Sequence, residues 1–393
     1  MDKVKLEKSS KDPEVYAYYL KDSVKRWMYR HKYEDSYGKV KEKKKSGCET
    51  EKAAIKALVD VKAQTLRGNT KLIENDYLTI SQWLDTWLKM DHTWKPRTRE
   101  IHETAVRLQL KPLIGHFKLQ KLDKDTYQKQ CINVLGCDYA YNTVKTVHNT
   151  FKTAINAAVE AEIIARNRFL RVALPEEEEK IENFFTPNQL LTFLNDAKQN
   201  ENITNNTLLL TIAYTGVRLG EACGLQWRNI DFDNNKITIE RTRNYAGTGK
   251  PKTKNSYRSI QVDKSVIDQL ATYKTWCKSL LLSIGKKLNA DTFVFLSEQT
   301  NEPIHPTNTA AVMLRIVQRA NLPKVTIHGL RHTHATILLN DGLPVKVIAD
   351  RLGNTPRMIH TVYAHVLEEM EQESVAVFSR SLEDARANFR ANS

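Results

Sequence analysis

Three short stretches near the C-terminus decide how the chain is read: His328-Gly-Leu-Arg331-His-Thr-His334, Asn354-Thr-Pro356 and Tyr363-Ala-His365. Around the first, Leu330, Ala335, Leu338 and Leu339 form an apolar stripe, and Asp341-Gly342 is a stop signal. A helix is therefore expected, with the His328 imidazole and the Arg331 guanidinium side by side on one face. A guanidinium is a planar, permanently charged fork suited to phosphate oxygens, and an imidazole beside it exchanges protons near neutral pH. Pro344 and Gly353 then bracket a second helix carrying Val345, Ile348, Ala349 and Leu352. A last helix opens at Thr355-Pro356, with Ile359, Val362 and Val366 as its buried stripe and Tyr363 inside it. Phosphate clamp, proton-transfer group and phenol together point to a hydroxyl aimed at phosphorus.

Blander readings fit parts of the same stretch. Ala349, Gly353 and Ile359 match a loose helix-turn-helix pattern, and histidines near helix starts are commonly structural. Metal binding by His328, His332 and His334 has little support, because no carboxylate or cysteine joins them at zinc-ligand spacing.

At 393 residues the chain is long enough for two or three domains with real cores. Its net charge of +14 points to a polyanionic partner. Residues 1–70 hold 18 Lys+Arg against 11 Asp+Glu, half of the excess in under a fifth of the chain. The cysteines, Cys48, Cys131, Cys137, Cys223 and Cys277, are scattered without a CxxC pair and suit a reducing cytoplasm. No signal peptide or membrane-spanning apolar run is evident. A secreted disulfide scaffold and a membrane protein are both disfavoured, and a cytoplasmic protein on nucleic acid is expected.

Val15–Leu20 and Val24–His31 read as aromatic-rich strands joined by a short turn, and Gly38–Lys45 as a third, very basic strand. Ser46-Gly47 leads into a helix carrying Ala53, Ile55, Ala57, Leu58 and Val61. On this small sheet Lys25, Arg26, Arg30, Lys39, Lys41 and Lys43 interleave with Trp27, Tyr29 and Tyr37. Charge alternating with aromatics suits a nucleic-acid groove better than a merely solvated face. From Tyr77 the texture turns helical: Ile80–Lys89, Thr98–Gln109, Leu119–Val134 and Tyr141–Ile164, the last with Ala154, Ala157, Ala158 and Ala161 for close packing. This bundle, residues 77–172, holds no catalytic candidate; Arg97 and Arg99 are candidate DNA-backbone contacts.

Pro175 and the glutamate run after it mark an extended linker. Beyond it Thr186-Pro187 starts a helix and Leu208–Tyr214 is a buried one. Thr215-Gly216-Val-Arg218-Leu-Gly220-Glu221 sets an arginine between two glycines, with a carboxylate three residues on to orient it. Ile237–Ile239 and Arg258–Val262 alternate as strands. In the lysine-rich turn between them, a lysine could reach across a cleft and give a proton to a leaving oxygen.

Arg218 in TGVRLGE, Lys252 in KTKNSYR, His328-x-x-Arg331, and Tyr363 nine residues beyond Asn354 stand in one order with sensible gaps. That ordered set resembles the tyrosine recombinases, the phage-integrase family. The N-terminal module ending KSGCETEKAAIKAL is similar to the arm-site-binding domain of integrases from phages and conjugative transposons of Gram-positive bacteria. Residues 77–172 resemble the family's core-binding domain by position and helix content. The resemblance implies three domains: arm-site binding over 1–70, core binding over 77–172, and catalysis with a C-terminal tail over 180–393.

It also implies the roles. Tyr363 would attack the scissile phosphate and form a 3′-phosphotyrosyl link, with Arg218 and Arg331 clamping the non-bridging oxygens. Lys252 would protonate the leaving 5′ oxygen, His328 would assist proton transfer at the nucleophile, and Glu221 would be the supporting carboxylate. The KTxxS context favours Lys252 over Lys254. One position departs from the family, which usually has His or Trp nine residues before the nucleophile. Here it is Asn354, whose amide can donate to phosphate but cannot carry a proton, and which could instead cap the final helix.

The expectation is a mainly α, multidomain fold with small β elements: an N-terminal three-stranded sheet plus helix, a helical core-binding bundle, and an α-rich catalytic domain with a small β-sheet. It would act as a site-specific DNA recombinase (integrase) that integrates and excises a mobile element. The alternatives are a type IB topoisomerase-like enzyme and a non-enzymatic DNA-binding regulator. Implied partners are double-stranded DNA core and arm attachment sites, a homotetramer on DNA, a directionality factor and a host DNA-bending protein. No metal, other cofactor or membrane is expected, and the setting would be the cytoplasm of a bacterial host. The amphipathic tail after Val366 would dock on a neighbouring subunit.

Overall fold

The structure, a computed structural model, describes residues 6–20, 24–35, 37–177, 183–244, 247–249, 254–364, 378–379 and 382–383. They fall into two units, 1–179 and 180–393.

In the first unit, β1 (Glu7–Lys8), β2 (Val15–Tyr19), β3 (Lys25–Glu34) and β4 (Val40–Cys48) form an antiparallel sheet in sequence order. The three expected strands are there, and β1 adds a short edge. α1 (Glu51–Leu66) starts at Thr50, whose hydroxyl accepts from the Ala53 amide. It lays Ala54 and Leu58 on Val15 and Tyr29 to make a small core.

Strand alternation then sorts the basic and aromatic side chains onto two faces. Tyr29 pairs across the sheet with Val15 and Lys45, faces α1 and is 2% exposed. It is a core residue, which corrects its assignment as a groove contact. Trp27 also packs against that core. The face away from α1 carries Tyr16, Tyr18, Arg26, Arg30, Lys32 and Lys44.

A second core in this unit is helical. α2 (Thr70–Glu74) precedes α3 (Ile80–Lys89), which Thr79 and Gln82 open with a reciprocal capping box. α4 (Pro96–Ala105) runs through a π turn, Val106–Leu110, into α5 (Lys111–Ile114). α6 (Lys124–Tyr127), a second π turn at Gln128–Ile132 and α7 (Asn133–Asp138) lead to α8 (Tyr141–Glu160). Trp83 donates its indole N–H to the Ala154 carbonyl at 2.8 Å, over the small residues of α8. α4 begins at Pro96 rather than Thr98, since proline suits a first helical position. α8 stops before the expected Ile164 because Glu162 adopts a left-handed φ of 61°.

The second unit opens with α9 (Pro187–Asn200), α10 (Ile203–Thr215) and α11 (Leu219–Cys223). Next come β5 (Ile230–Asp231), β6 (Lys236–Ile239), β7 (Thr242–Asn244), β8 (Gly247–Gly249) and β9 (Arg258–Gln261). β5, β6 and β9 form one antiparallel sheet, and β7–β8 is a separate hairpin that the sequence reading missed. The chain continues through α12 (Lys264–Ser283), α13 (Thr309–Arg319), α14 (Ile327–Asn340), α15 (Val345–Leu352) and α16 (Pro356–Val362).

A large core joins α9, α10, α12 and α13 to the sheet. A smaller one, Ala335, Leu339, Ile348, Ala349, Leu352, Ile359 and Tyr363, ties α14 to α15 and α16. Two expectations for α16 are corrected. Val362 is 38% exposed, so Ile359 and Tyr363 form the inner stripe, and Tyr363 caps the helix end instead of lying within it. Lys252, Val366 and most of the tail lie outside the described residues. Among those described, no helix is long and apolar enough to cross a membrane.

Candidate active site

The site forms where two helix C-termini meet. α10 ends in Gly216 and α15 in Gly353, both left-handed with φ of 65°. A side chain at Gly216 would place Cβ 2.5 Å from the Leu352 side chain; at Gly353, 2.8 Å from both the Arg258 guanidinium and the Asn255 carbonyl. Arg331, one turn into α14 and 3% exposed, bridges the two ends. It donates to the Gly216 carbonyl at 2.7 Å and to the Leu352 carbonyl at 2.8 Å. Nearby, His334 bonds the Ala213 carbonyl at 3.0 Å and Arg351 donates to the Tyr214 carbonyl at 3.1 Å. Orphan carbonyls and the negative ends of both helix dipoles are thus met by cations and by N–H donors.

His334 accepts from Arg351 Nε on its other nitrogen at 3.0 Å, which fixes the neutral Nδ1–H tautomer. Burial first, then the Arg351 charge, pushes its pKa down to about 4. This histidine is structural.

A second cluster centres on Glu221, 3% exposed. It receives Arg218 at 2.9 Å and Arg258 at 3.0 Å, and it accepts the Arg218 backbone N–H at 3.0 Å. Burial acts to raise its pKa, but Arg258, then Arg218, hold it below the ordinary value. Arg258 also donates to the carbonyls of Arg351 and Ser256, which joins β9 to the end of α15. Arg218 donates its other Nη to the Asn354 side-chain oxygen at 2.7 Å. Among the described residues Glu221 is the only carboxylate bonded to Arg218, Arg258, Arg331 or Arg351. Arg331 is brought down to about 9 by burial first and Arg218 second, yet stays cationic at neutral pH. The cluster is a set of fixed donors with too little negative charge, which suits an incoming phosphate.

Tyr363 is 4% exposed, and its hydroxyl is 2.9 Å from His332 Nδ1. Burial pushes the phenol up to about 12, with Arg331 pulling the other way. His332 in turn is held below the usual imidazole range by burial and then by Arg331. His328 lies at the exposed first turn of α14, its ring centre 4.8 Å from that of His332. The surrounding protein, then His332, Arg331 and Arg218, press its pKa down to about 4.

The structure therefore brings Arg218, His328, Arg331, Asn354 and Tyr363 into one unit. Asn354 is not the helix cap: Thr355 is, accepting from the Met358 amide, while Asn354 bonds Arg218. His332, a weak metal candidate by sequence, sits at i+4 from His328 on the same face and bonds Tyr363 instead. Arg258, the last residue of KTKNSYR and a strand residue by sequence, is part of the Glu221 cluster.

The expected DNA contacts separate. Lys25 is exposed and lies over the Trp27 ring at 4.9 Å, and Arg26 and Arg30 lie on the open sheet face. Arg30 pairs with Glu42, Lys41 with Asp35 and Glu74, and Lys43 with Asp76, while Lys39 is exposed. Arg97 pairs with Glu100 and Arg99 with Glu103 on the exposed side of α4.

Arginine donors around one carboxylate, with a tyrosine hydroxyl on an imidazole close by, make a cationic site suited to a phosphate. Residues 183–370 match the phage integrase family, residues 16–65 an arm DNA-binding domain, and residues 79–135 the N-terminal SAM-like domain of phage integrases. The chain belongs to the phage integrase family of tyrosine recombinases. It is 27% identical over 352 residues to a XerC-like tyrosine recombinase of Caldanaerobacter subterraneus subsp. tengcongensis, covering 80% of this chain and 86% of that one. Its fold is similar to that of the Tn1549 transposon integrase in complex with transposon right-end DNA, with a TM-score of 0.66 at 22% identity, covering 76% of this chain and 100% of that one. It is also similar to that of a lambda integrase tetramer bound to a Holliday junction, with a TM-score of 0.56 at 17% identity over 89% of this chain and 94% of that one.

Proposed function

We propose that the chain is the integrase of a mobile DNA element, cutting and rejoining attachment-site DNA through a 3′-phosphotyrosyl link. The observation that carries this reading is the bridge made by Arg331 between the ends of α10 and α15, beside Arg218 and with Tyr363 held in the same small core. Tyr363 Oη bonds to phosphorus, the bond from phosphorus to the 5′ oxygen breaks, and Arg218 and Arg331 take the charge on the non-bridging oxygens. Asn354 offers its amide N–H to the same oxygens, and His328 stands beside Arg331 at the exposed start of α14. An arriving phosphate raises the pKa of His328, because it adds the negative charge that the arginines lack. Lys252 would protonate the leaving oxygen, a role that rests on the resemblance.

The division into arm-site (1–70), core-binding (77–172) and catalytic (180–393) domains belongs to the same proposal. The separate sheet and bundle cores support it. Arm DNA would lie on the open sheet face, against Arg26, Arg30, Lys32 and Lys44, and Arg97 and Arg99 would contact core DNA. A homotetramer on DNA, a directionality factor, a host DNA-bending protein and a cytoplasmic setting complete the reading.

The test is covalent capture on a nicked suicide substrate resolved in SDS. The wild-type chain should form an adduct and Tyr363→Phe should bind the DNA equally well without forming one. An adduct that persists in the Phe variant would remove Tyr363 as the nucleophile.

A further inference from the structure

We propose that His332, rather than His328, takes the proton from Tyr363 when the phenol attacks phosphorus. This rests on the recombinase reading above. The Tyr363 hydroxyl is 2.9 Å from His332 Nδ1, and the two rings meet edge-on with centres 5.6 Å apart. No other imidazole is bonded to that hydroxyl among the described residues. Tyr363 is 4% exposed, so bulk water is a poor acceptor for its proton. A general base must reach the proton it removes, and His332 already does.

α14 divides the labour by spacing. His328 and Arg331, at i and i+3, turn toward the phosphate donors; His332, at i+4, sits over the nucleophile. The protein around it disfavours a charged imidazole, and in the neutral Nε2–H tautomer Nδ1 accepts the Tyr363 hydroxyl. In the step, the bond from Oη to phosphorus forms and the bond from phosphorus to the 5′ oxygen breaks. The Oη proton passes to His332 Nδ1, and the leaving oxygen takes its proton from the general acid on its own side, Lys252 by resemblance. In rejoining, the 5′ hydroxyl returns its proton to that general acid as its oxygen bonds to phosphorus, the bond from phosphorus to Oη breaks, and the His332 imidazolium returns the proton to Oη.

Single-turnover adduct formation at saturating DNA tests this with His332→Asn and His332→Ala, each checked for folding by melting. Asn sets its amide oxygen close to where Nδ1 stands, so it keeps a hydrogen bond but cannot carry a proton. Both variants should bind DNA normally and form the adduct about 100-fold or more slowly. A second substrate carries sulfur at the leaving 5′ position, which departs without a proton. Both variants should remain slow on it, because the lost transfer is at the nucleophile. Cleavage by His332→Asn within about threefold of wild type, or recovery of either variant on the sulfur substrate, would overturn the proposal. Absence of any adduct from the wild-type chain would overturn the recombinase reading itself.

Discussion

Replacing Glu221 by glutamine should expose how far the cluster depends on one charge. The carboxylate is 3% exposed and sits 3.0 Å from Arg258, whose own side chain is 7% exposed. Breaking a buried pair by neutralising one partner costs about 3–5 kcal/mol, because the other charge stays buried. Glutamine keeps an acceptor oxygen, and Arg258 keeps the carbonyls of Arg351 and Ser256, so the low end applies. The Arg218 arm adds little to stability, since that side chain is 37% exposed and water screens it. About 3 kcal/mol in a unit of this size lowers the melting temperature by roughly 6–12 °C.

The pH dependence has a definite sign. Glu221 is held below its ordinary pKa of 4.5 in the folded chain, so its stabilisation is complete above that value and is lost as pH falls through the lower one. Scanning calorimetry of both chains should show a constant gap from neutral pH down to about 5, closing at more acid pH. Equal melting at neutral pH, or a gap undiminished in strong acid, would refute the reasoning.

Gly353→Ala should destabilise by about 1–3 kcal/mol in urea unfolding, since a left-handed residue gains a Cβ 2.8 Å from Arg258 and the Asn255 carbonyl. An unchanged midpoint would mean the turn relaxes freely. Asn354→Ala should slow suicide-substrate cleavage on the order of 100- to 1000-fold while leaving the melt nearly unchanged, because Thr355 does the capping. Near-normal cleavage would sink the phosphate-donor role.

Local grammar made much of α14 to α16 legible. Asp341-Gly342, Pro344, Gly353 and Thr355-Pro356 are start and stop signals whose effect depends on neighbours only. His328 and Arg331 could be paired for the same reason. Arg258 could not: alternation in β9 puts it on the same face as the core residue Ile260, and only the fold shows that Glu221 and the end of α15, far along the chain, meet its charge there. The three histidines of α14 diverge on the same ground. His332 and His334 are two residues apart, roughly 200° around a helix, so one meets α16 and the other α10. Tyr29 was misassigned because basic residues occupy both faces of β3, and only α1 decides which of them is inside. The family resemblance supplied Lys252 and the domain roles, which residue spacing alone does not reach.

Arg331 is a rivet as well as a clamp, and this bears on what a partly unfolded chain can do. Its guanidinium is held in place by carbonyls that exist only while the ends of α10 and α15 are formed and facing each other. If α15 and α16 peel away, Tyr363 leaves, and in the same event the arginine loses half its moorings. Glu221 and Arg258 slacken with it, because Arg258 hangs on the last turn of α15. On the proposed reading, damage at this end of the molecule takes the tyrosine and loosens the phosphate-binding arginines in a single event.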